Sequence, residues 1–293
     1  MKIFVTGSES FIGKELIKQC QKQEIEIIGI DLIDVNNTNY KYIKFDICSN
    51  KICNIIPDDV DIIIHLAALS RDSDCKGNSY NCFNVNVMGT LNLMRAAKNK
   101  KIKQFIFASS EWVYDHFTIN EEKDEKSIIN IFNQNAEYAV SKIVSEINLK
   151  QEFVGSDSNI TILRFGIIYG PRKHNWSAVE EISSKVKNQE KITINSLKTG
   201  RRFIHVNDIV NGIILSIGLK GFNTINLTGN QIITLEEIIK TSEKIFRKKS
   251  FFEEKNSEKI SIRNPSNKKA KKLLKWEPKI TLEYGVKTLQ EYI

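Results

Sequence analysis

The chain has 293 residues, a formal net charge of +8, 41% hydrophobic and 9% aromatic residues. This length allows one large domain or two modest ones with a sizeable core. No apolar run approaches the ~18 consecutive residues of a membrane-spanning helix, which excludes an integral membrane protein of the helical kind. The first residues run directly into a strand-like segment, so we predict no signal peptide and a cytoplasmic protein.

The cysteines and the excess positive charge give little functional information. The five cysteines are odd in number and none has C-x-x-C spacing, so we expect reduced thiols and no metal site. The basic excess sits in late lysine-rich runs without interleaved aromatic residues, which indicates a solvated surface and disfavours nucleic-acid binding.

Strand-like and helical patterns alternate along the first part of the chain. In chain order we predict strand Lys2–Val5, helix Phe11–Gln23, strands Glu26–Asp31, Tyr42–Phe45 and Asp61–Leu66, helix Asn84–Asn99, strand Gln104–Ala108, helix Ala136–Phe153 and strand Thr161–Phe165. This alternation predicts an α/β fold with a Rossmann-type, doubly wound parallel sheet. Ligands then bind at the edge formed by the carboxyl ends of the strands.

After Pro171 the pattern changes to mixed helices and short strands. We predict helix Ala178–Asn188, strand Lys191–Asn195, a helix near Asp208–Gly218, a strand near Thr224–Leu227 and helices Leu235–Lys248, Lys268–Leu274 and Leu282–Tyr292. We therefore predict a first domain of residues 1–170, with a returning piece near 200–228, and a smaller α/β domain made mainly of residues 171–293.

A glycine-containing loop joins the first strand to the first helix. A dinucleotide pyrophosphate needs a tight turn, close backbone approach and N–H groups at a helix N-terminus. Gly7 suits the turn and Gly13 the close packing of the helix, while Ser10 replaces the usual middle glycine and offers a hydroxyl donor. We predict that this loop binds the cofactor through Gly7, Ser10, Phe11, Ile12 and Gly13.

Acidic residues follow the second and third strands. Asp31 lies 18 residues after Gly13, where a carboxylate can accept hydrogen bonds from both adenosine ribose hydroxyls and would repel a 2′-phosphate. Asp31 therefore favours NAD over NADP, although a helix cap or turn residue is the alternative. Asp46, with Ile47 beside it, is a candidate for contact with the adenine; a plain turn residue is again the alternative.

A tyrosine and a lysine share one face of the predicted Ala136–Phe153 helix. Tyr138 and Lys142 are four residues apart, and an ammonium near a phenol lowers the pKa of the phenol. The phenolate can then remove a proton from a sugar hydroxyl while hydride leaves the same carbon. Ser110, after the Gln104–Ala108 strand, can bond the same substrate oxygen. We predict Ser110, Tyr138 and Lys142 as the catalytic residues, with Glu111 as a further candidate.

Taken together, these motifs resemble those of the extended short-chain dehydrogenases/reductases, of the NAD-dependent epimerase/dehydratase type that acts on nucleotide sugars. The likeness extends over nearly the whole chain. The matching segments are Gly7–Gly13, His65–Ala68, Asn86 with Gly89–Thr90, Ser110, Tyr138 with Lys142, Leu163–Arg172, Arg201–Asp208, Lys269–Leu274 and Trp276–Pro278.

The resemblance implies NAD as cofactor, a nucleotide-diphosphate sugar as substrate and a homodimer. It also implies site residues: Leu66, Ala67, Ala68 and Asn86 around the cofactor, and Ser70, Ser110, Arg172, Arg201 and Arg263 on the substrate side. We add Trp176, whose loop could close over the sugar and whose ring could stack on a sugar or nucleotide ring; packing of the loop itself is the alternative role. An arginine fork suits the geometry of phosphate. We expect structural roles for three other matching residues: Arg164 bonds the backbone, Asp208 caps its helix and His65 packs at a strand end.

Departures from the family pattern narrow the reaction. In 4,6-dehydratases the triad serine or threonine is usually followed by Asp and Glu, an acid and a base that remove water. Here Glu111 is followed by Trp112, and an indole cannot transfer protons. Ile167 replaces an asparagine that contacts substrate in many 4-epimerases, and Asp115 replaces a glycine.

Several functions therefore stay open. The first is a nucleotide-sugar 4-epimerase that oxidises C4 transiently. The second is a 4,6-dehydratase using Glu111, or a keto-sugar reductase, although Asp31 disfavours the usual NADPH of a reductase. The third is a cofactor sensor or RNA-binding protein of the same fold, which the intact triad disfavours.

Overall fold

The structure is a computed structural model that describes residues 1–36 and 38–293. The strands are, in chain order, β1 (Lys2–Thr6), β2 (Glu26–Asp31), β3 (Lys41–Lys44), β4 (Ile62–His65), β5 (Gln104–Ser110), β6 (Asn159–Phe165), β7 (Ile168–Tyr169), β8 (Lys191–Ile194), β9 (Gly200–Arg201), β10 (Ile204–His205), β11 (Phe222–Leu227), β12 (Ile233–Thr234), β13 (Phe251–Glu254) and β14 (Ile262–Arg263).

The helices fill the connections between these strands. They are α1 (Phe11–Gln21), α2 (Ile52–Ile55), α3 (Asp72–Cys75), α4 (Ser79–Phe83), α5 (Gly89–Asn99), α6 (Glu137–Phe153), α7 (Ala178–Asn188), α8 (Val206–Leu215), α9 (Leu235–Phe246), α10 (Lys268–Leu274) and α11 (Leu282–Thr288), with a π-helical turn at Asn84–Met88 and 3₁₀ turns at Glu111–Val113 and Ile131–Asn133. Within residues 1–36 and 38–293, no helix has the length and apolar character needed to cross a membrane.

A seven-stranded sheet in the order β11-β6-β5-β4-β1-β2-β3 forms the centre of the fold. β1 pairs in parallel with β2 and β4, and β4 pairs in parallel with β5. The apolar run in β4 is buried throughout, as expected for a strand covered on both faces. The predicted doubly wound parallel sheet is confirmed, and its strand order reverses between β1 and β4, where ligands bind in such sheets.

The chain divides into two compact units. The first comprises residues 1–115, 128–164 and 213–225; the second comprises residues 116–127, 165–212 and 226–293. The core of the first unit lies around the central sheet and includes Phe4, Ile63, Phe105 and Leu149. The second unit has its own core around α7, α9 and α11, which includes Val179, Ile238 and Val286. That these units divide cofactor and substrate binding stays a prediction.

Most predicted elements have the observed bounds or differ from them by at most four residues, and one element differs in type. The predicted helix Asn84–Asn99 begins as a π-helical turn over Asn84–Met88 and becomes α-helical only at Gly89. Such turns widen a helix locally and are frequent at functional sites. This turn carries the buried Asn86.

Asp208 does not cap its own helix, contrary to the sequence-based expectation. It lies inside α8, and its carboxylate accepts hydrogen bonds from the backbone N–H groups of Lys279 and Ile280, both at 3.0 Å. The indole of Trp276 donates to the Asp208 carbonyl at 3.0 Å. Asp208 therefore anchors the segment before α11, a long-range contact that a helix-capping pattern does not reveal.

Candidate active site

The loop between β1 and α1 has backbone constraints that only glycine satisfies. Gly7 has φ +68°, and an added Cβ would lie 2.7 Å from the backbone nitrogen of Ala67. A Cβ on Gly13 would lie 2.2 Å from the carbonyl oxygen of Gly7. Ser10 caps α1, and its hydroxyl oxygen accepts a hydrogen bond from Gly13 N–H at 3.1 Å. The loop thus brings the start of α1, with Phe11 and Ile12, close against the ends of β1 and β4.

Asp31 lies at the end of β2, beside this loop. Its Oδ2 accepts a hydrogen bond from the backbone N–H of Glu9 at 3.0 Å, and its Oδ1 accepts from the N–H of Leu32 at 2.7 Å. Each carboxylate oxygen has a second lone pair for a further donor. Glu9 itself accepts a hydrogen bond from the Tyr40 hydroxyl and pairs with Lys14 at 3.2 Å. Asp31 therefore has a structural role that is compatible with the predicted contact to ribose.

Asp46 and Ile47 follow the third strand in a short turn. The exposed Asp46 accepts a hydrogen bond from Cys48 N–H at 2.8 Å, which is the contact of a turn residue. Ile47 is buried and so close to Gly89 that a Cβ on that glycine would lie 2.7 Å from its Cδ1. Contact of either residue with an adenine stays a prediction.

The loop after β4 is fixed by Asn86 of the π-helical turn. Asn86 Oδ1 accepts a hydrogen bond from Leu69 N–H at 2.8 Å, and its amide donates to the Leu69 carbonyl at 3.0 Å and to the Ser141 hydroxyl at 2.9 Å. Ser141 in turn donates to the Tyr138 carbonyl at 2.8 Å. Asn86 thus ties the loop that carries Leu66, Ala67, Ala68 and the exposed Ser70 to the helix that carries Tyr138.

His65 is a packed histidine, as expected from its strand-end position. Its Nδ1 lies 2.7 Å from the Thr6 hydroxyl and its Nε2 lies 3.0 Å from the Thr90 hydroxyl. Burial, with a smaller effect of the Lys142 charge, lowers the pKa of His65 to about 3. His65 therefore stays neutral at physiological pH and links the ends of β1 and β4.

Tyr138, Lys142 and Ser110 come together at the end of β5. The buried Lys142 Nζ donates a hydrogen bond to the Ala108 carbonyl at 2.8 Å, lies 4.7 Å from the centre of the Phe107 ring and lies 6.0 Å from that of Tyr138. Ser110 is hydrogen-bonded to Tyr138, and its hydroxyl accepts from Trp112 N–H at 3.2 Å. Glu111 is buried in the 3₁₀ turn directly after Ser110.

The electrostatics of this cluster differ from the sequence-based expectation for the tyrosine. Burial raises the pKa of Tyr138 to about 12, and the hydrogen bond from Ser110 opposes that shift. Burial lowers the pKa of Lys142 to about 8. Desolvation of the phenolate is therefore the largest influence on the Tyr138 pKa, and the lowering expected from the ammonium is not observed. At neutral pH Tyr138 is therefore protonated, and the pKa of the Lys142 ammonium lies only slightly above neutrality.

Two arginines predicted on the substrate side occupy paired positions in the second unit. Arg263 on β14 is directly opposite Arg201 on the parallel strand β9, so the two side chains leave the same face of the sheet. The Arg201 guanidinium donates to the carbonyls of Gly200 and Ser261 at 2.8 and 2.6 Å, and that of Arg263 lies 5.2 Å from the centre of the Phe117 ring. The structure thus brings these two residues together.

Arg172 and Trp176, also predicted on the substrate side, have structural contacts within the second unit. Arg172 pairs with the fully buried Glu180 at 2.8 Å, and Glu180 also forms the capping box of α7 with Ser177. The Trp176 indole donates to the Arg172 carbonyl at 2.8 Å. These contacts hold the loop before α7; a contact with substrate stays a prediction.

Sequence reasoning missed Glu146 and assigned Arg164 the wrong partner. Arg164 bonds side chains rather than the backbone: it pairs with Glu146 at 2.6 Å and donates to the Tyr114 hydroxyl at 3.1 Å. Glu146 lies one helical turn after Lys142 on α6. This i, i+4 spacing was visible in the sequence and was the available signal.

A sequence model of the NAD dependent epimerase/dehydratase family matches residues 3–227. The chain belongs to the NAD dependent epimerase/dehydratase family. It is therefore an enzyme of the epimerase/dehydratase type with NAD as its cofactor.

Members of the NAD dependent epimerase/dehydratase family with different reactions are similar to this chain. UDP-glucuronate 4-epimerase of Thermodesulfobacterium geofontis is 28% identical over 306 residues, which cover 97% of this chain and 93% of that protein. dTDP-D-glucose 4,6-dehydratase of Dictyostelium discoideum is 29% identical over 245 residues, which cover 74% of this chain but only 56% of that protein.

The fold agrees with that of a solved structure. The crystal structure of UDP-glucose 4-epimerase from Thermotoga maritima with UDP-glucose superposes with a TM-score of 0.89 at 22% identity, and the match covers 100% of this chain and 98% of that chain. This likeness confirms the Rossmann-type fold predicted from the sequence.

The residues of this chain fit the NAD that the family requires. The backbone packs so closely at Gly7 and Gly13 that neither position could hold a larger residue without a shift, and this loop leads into the N-terminus of α1, where phosphate is favoured. The half-buried Asp31 carboxylate, at the carboxyl end of β2, retains acceptor capacity for hydroxyl donors. Among the described residues, no group of three or more His, Cys, Asp or Glu side chains is arranged to hold a metal ion.

Proposed function

We propose that this chain is a nucleotide-sugar 4-epimerase that inverts one carbon by transient oxidation. The observation that supports the proposal is the buried cluster of Ser110, Tyr138 and Lys142 at the end of β5. It contains a proton-transfer group, a hydrogen-bond partner for the reacting oxygen and a cation, which are the protein groups that reversible oxidation at one carbon needs beside a hydride acceptor. The similarity to UDP-glucuronate 4-epimerase over 97% of the chain supports the same reaction class.

In the proposed reaction, Tyr138 acts in its phenolate form, which is the minor form in the chain without ligands, and its Oη removes the proton of the C4 hydroxyl while the C4–H bond breaks. NAD, when bound, would supply the hydride chemistry at C4. Ser110 donates a hydrogen bond to the C4 oxygen, and the Lys142 ammonium stabilises the Tyr138 phenolate. When the ketone is reduced from its other face, Tyr138 returns the proton to the oxygen. The sum is inversion of C4 with no net gain or loss of atoms.

We propose contacts for the cofactor on the chain's own residues. The N–H groups of Phe11 and Ile12 at the start of α1 and the Ser10 hydroxyl would bind the pyrophosphate. The Asp31 carboxylate would accept hydrogen bonds from the hydroxyls of the adenosine ribose. On the substrate side, Arg201 and Arg263 would bind the diphosphate of the sugar nucleotide, because their paired positions on β9 and β14 form a double cationic site.

A 4,6-dehydratase is the second candidate, supported by one observation. Glu111 is buried immediately after Ser110, where a carboxylic acid could transfer a proton, and a relative of 29% identity is named dTDP-D-glucose 4,6-dehydratase. Trp112, which is 38% exposed, occupies the position after Glu111 and cannot act as the second proton-transfer group. We therefore favour epimerisation.

Incubation with a panel of UDP-, dTDP-, GDP- and CDP-sugars tests the proposal. Products are separated and examined by NMR, with UDP-hexoses and UDP-hexuronic acids measured first. We expect a sugar of unchanged mass with an inverted C4 centre. A 4-keto-6-deoxy product, with the loss of one water, would establish the dehydratase instead.

A further inference from the structure

The buried carboxylate of Glu146 is a feature of the reaction centre that the proposed mechanism does not use. Glu146 lies four residues after Lys142 on α6, so both side chains leave the same face of the helix. Its Oε1 accepts a hydrogen bond from the Ser109 hydroxyl at 2.5 Å and from Arg164 Nε at 3.0 Å, and its Oε2 lies 2.6 Å from Arg164 Nη2. The carboxylate is thus held in one position.

These contacts connect α6 to the end of β5 at two consecutive residues. Lys142 donates to the Ala108 carbonyl at 2.8 Å, and Ser109 donates to Glu146. The next residue on β5 is Ser110, which bonds Tyr138. Arg164 on β6 holds Glu146 from the other side and packs its guanidinium 5.0 Å from the centre of the Tyr114 ring. The position of the reaction centre therefore depends on this buried network.

We propose that Glu146, held by Arg164 and Ser109, is a positioning residue that keeps Lys142 in its charged form and in place at the end of β5. Its hydrogen bonds go to Ser109 and Arg164 rather than to Tyr138 and Ser110, the residues that the mechanism places against the sugar. It acts through Lys142, whose ammonium stabilises the Tyr138 phenolate. This inference rests on Tyr138 and Lys142 being the reaction centre of the proposed function.

Among the charged and titratable groups around Lys142, Glu146 does most to keep the lysine protonated. Burial lowers the pKa of Lys142 to about 8, and the charge of Glu146 is the largest influence that opposes this shift; Cys82 on α4 and Cys75 on α3 have smaller effects in the same direction. His65 on β4 also lies near Lys142, but burial keeps it neutral. Because the pKa of Lys142 lies only slightly above physiological pH, loss of the Glu146 charge would leave a large fraction of Lys142 neutral.

The first test is the pH dependence of kcat/KM of the Glu146→Gln variant. Glutamine keeps the size and an acceptor oxygen for Ser109 but removes the charge. We expect the alkaline limb of the profile, where Lys142 loses its proton, to move to lower pH by about one unit, because buried charges one helical turn apart interact strongly. A purely structural role would lower kcat at every pH and leave the limb where it is in the wild type.

The second test requires no substrate. Because the pKa of Lys142 is about 8 in the folded chain against an ordinary 10.5, the unfolded chain binds more protons above that pH, and this group adds stability as the pH rises through about 8. The free energy of unfolding is measured in denaturant between about pH 6.5 and pH 9 for the wild type, Glu146→Gln and Lys142→Met. We expect the gain to begin at lower pH in Glu146→Gln and to be absent in Lys142→Met.

Two further variants make the result decisive. Glu152→Gln makes the same chemical change on the same helix, at a partly exposed residue that pairs with Lys98, and should leave both profiles unchanged. Glu146→Gln/Arg164→Gln removes both buried charges and is used if an unpaired Arg164 prevents folding. Profiles of the Glu146 variants that coincide with the wild type would overturn the inference. A shifted stability profile without turnover of any sugar would support it while the proposed function fails.

Discussion

Tyr138 shows both what a single sequence reveals about a residue and what it conceals. The four-residue spacing to Lys142 predicted a shared helix face, and the two side chains do meet at the end of β5. The direction of the tyrosine's pKa shift was predicted wrongly, because it depends on how deeply the ring is buried. Burial is set by residues distant in sequence, such as Cys75 and Cys82, which pack with Tyr138.

Replacement of Tyr138 by phenylalanine removes the proposed proton-transfer group and keeps the ring. We expect turnover to fall by about 100-fold or more, the typical contribution of a positioned acid-base group. NAD affinity, measured by calorimetry, should stay nearly unchanged. Tyr80→Phe is the matched control, since Tyr80 is 88% exposed and should tolerate the loss of its hydroxyl. Wild-type turnover in Tyr138→Phe would refute the assigned role.

The predicted role of the loop between β1 and α1 in cofactor binding depends on its backbone conformation at Gly7. We expect Gly7→Ala to lower the free energy of unfolding by about 2 kcal/mol or more. Alanine is unfavourable at the positive φ of this position, and its Cβ would also clash with the backbone of Ala67. NAD affinity should fall strongly as the loop shifts. Both quantities are measured by denaturant unfolding and calorimetry.

Gly77 offers the control for this change. Its φ of +70° is nearly that of Gly7, but an added Cβ would meet nothing within 4 Å. Gly77→Ala should therefore cost only the roughly 1 kcal/mol of an alanine in this backbone region and leave NAD affinity intact. Equal losses in the two variants would show that close approach to Ala67 is unimportant.

The π-helical turn at Asn84–Met88 could not be predicted from the sequence. Hydrophobic periodicity indicates a helix over Asn84–Asn99, but one extra residue in a single turn barely alters that period. The turn is recognisable only from the bonds it supports, in which Asn86 holds Leu69 and Ser141.

We expect Asn86→Ala to destabilise the chain by about 1–3 kcal/mol, because the partly buried backbone N–H and carbonyl of Leu69 lose their hydrogen-bond partners. NAD affinity should weaken as well, since the loop from Leu66 to Leu69 is no longer tied to α6. Asn99→Ala, at the exposed end of α5, is the control on the adjoining helix. The interpretation fails if calorimetry gives the same NAD affinity for Asn86→Ala and the wild type.

At the scale of the whole molecule, the alternation of strands and helices sufficed to predict the central sheet. Buried parallel strands such as Ile62–His65 have a continuous apolar pattern that is hard to mistake. The second unit was less predictable, because its strands are as short as two residues and pair over long distances. Residues 116–127 belong to this unit through contacts such as that of Lys123 with Pro265, for which no local pattern exists.

Each unit contains one buried histidine that should make its stability sensitive to acid. Burial lowers the pKa of His65 to about 3 and that of His205 to about 4, against an ordinary value of 6.5. The unfolded chain therefore binds more protons as the pH falls below about 6.5, and stability is lost there. We expect the loss between about pH 7 and pH 5 to be smaller in His65→Gln and His205→Gln than in the wild type. An equally steep loss in both variants would exclude these histidines as its source.

Isotopic labelling tests reversible oxidation at a single carbon most directly. The nucleotide sugar that the panel identifies as substrate is prepared with deuterium at C4 and incubated with the enzyme and NAD. Epimerisation predicts a C4-inverted product of unchanged mass that retains the deuterium at C4. Deuterium transferred to another carbon, together with the loss of water, would contradict the assignment.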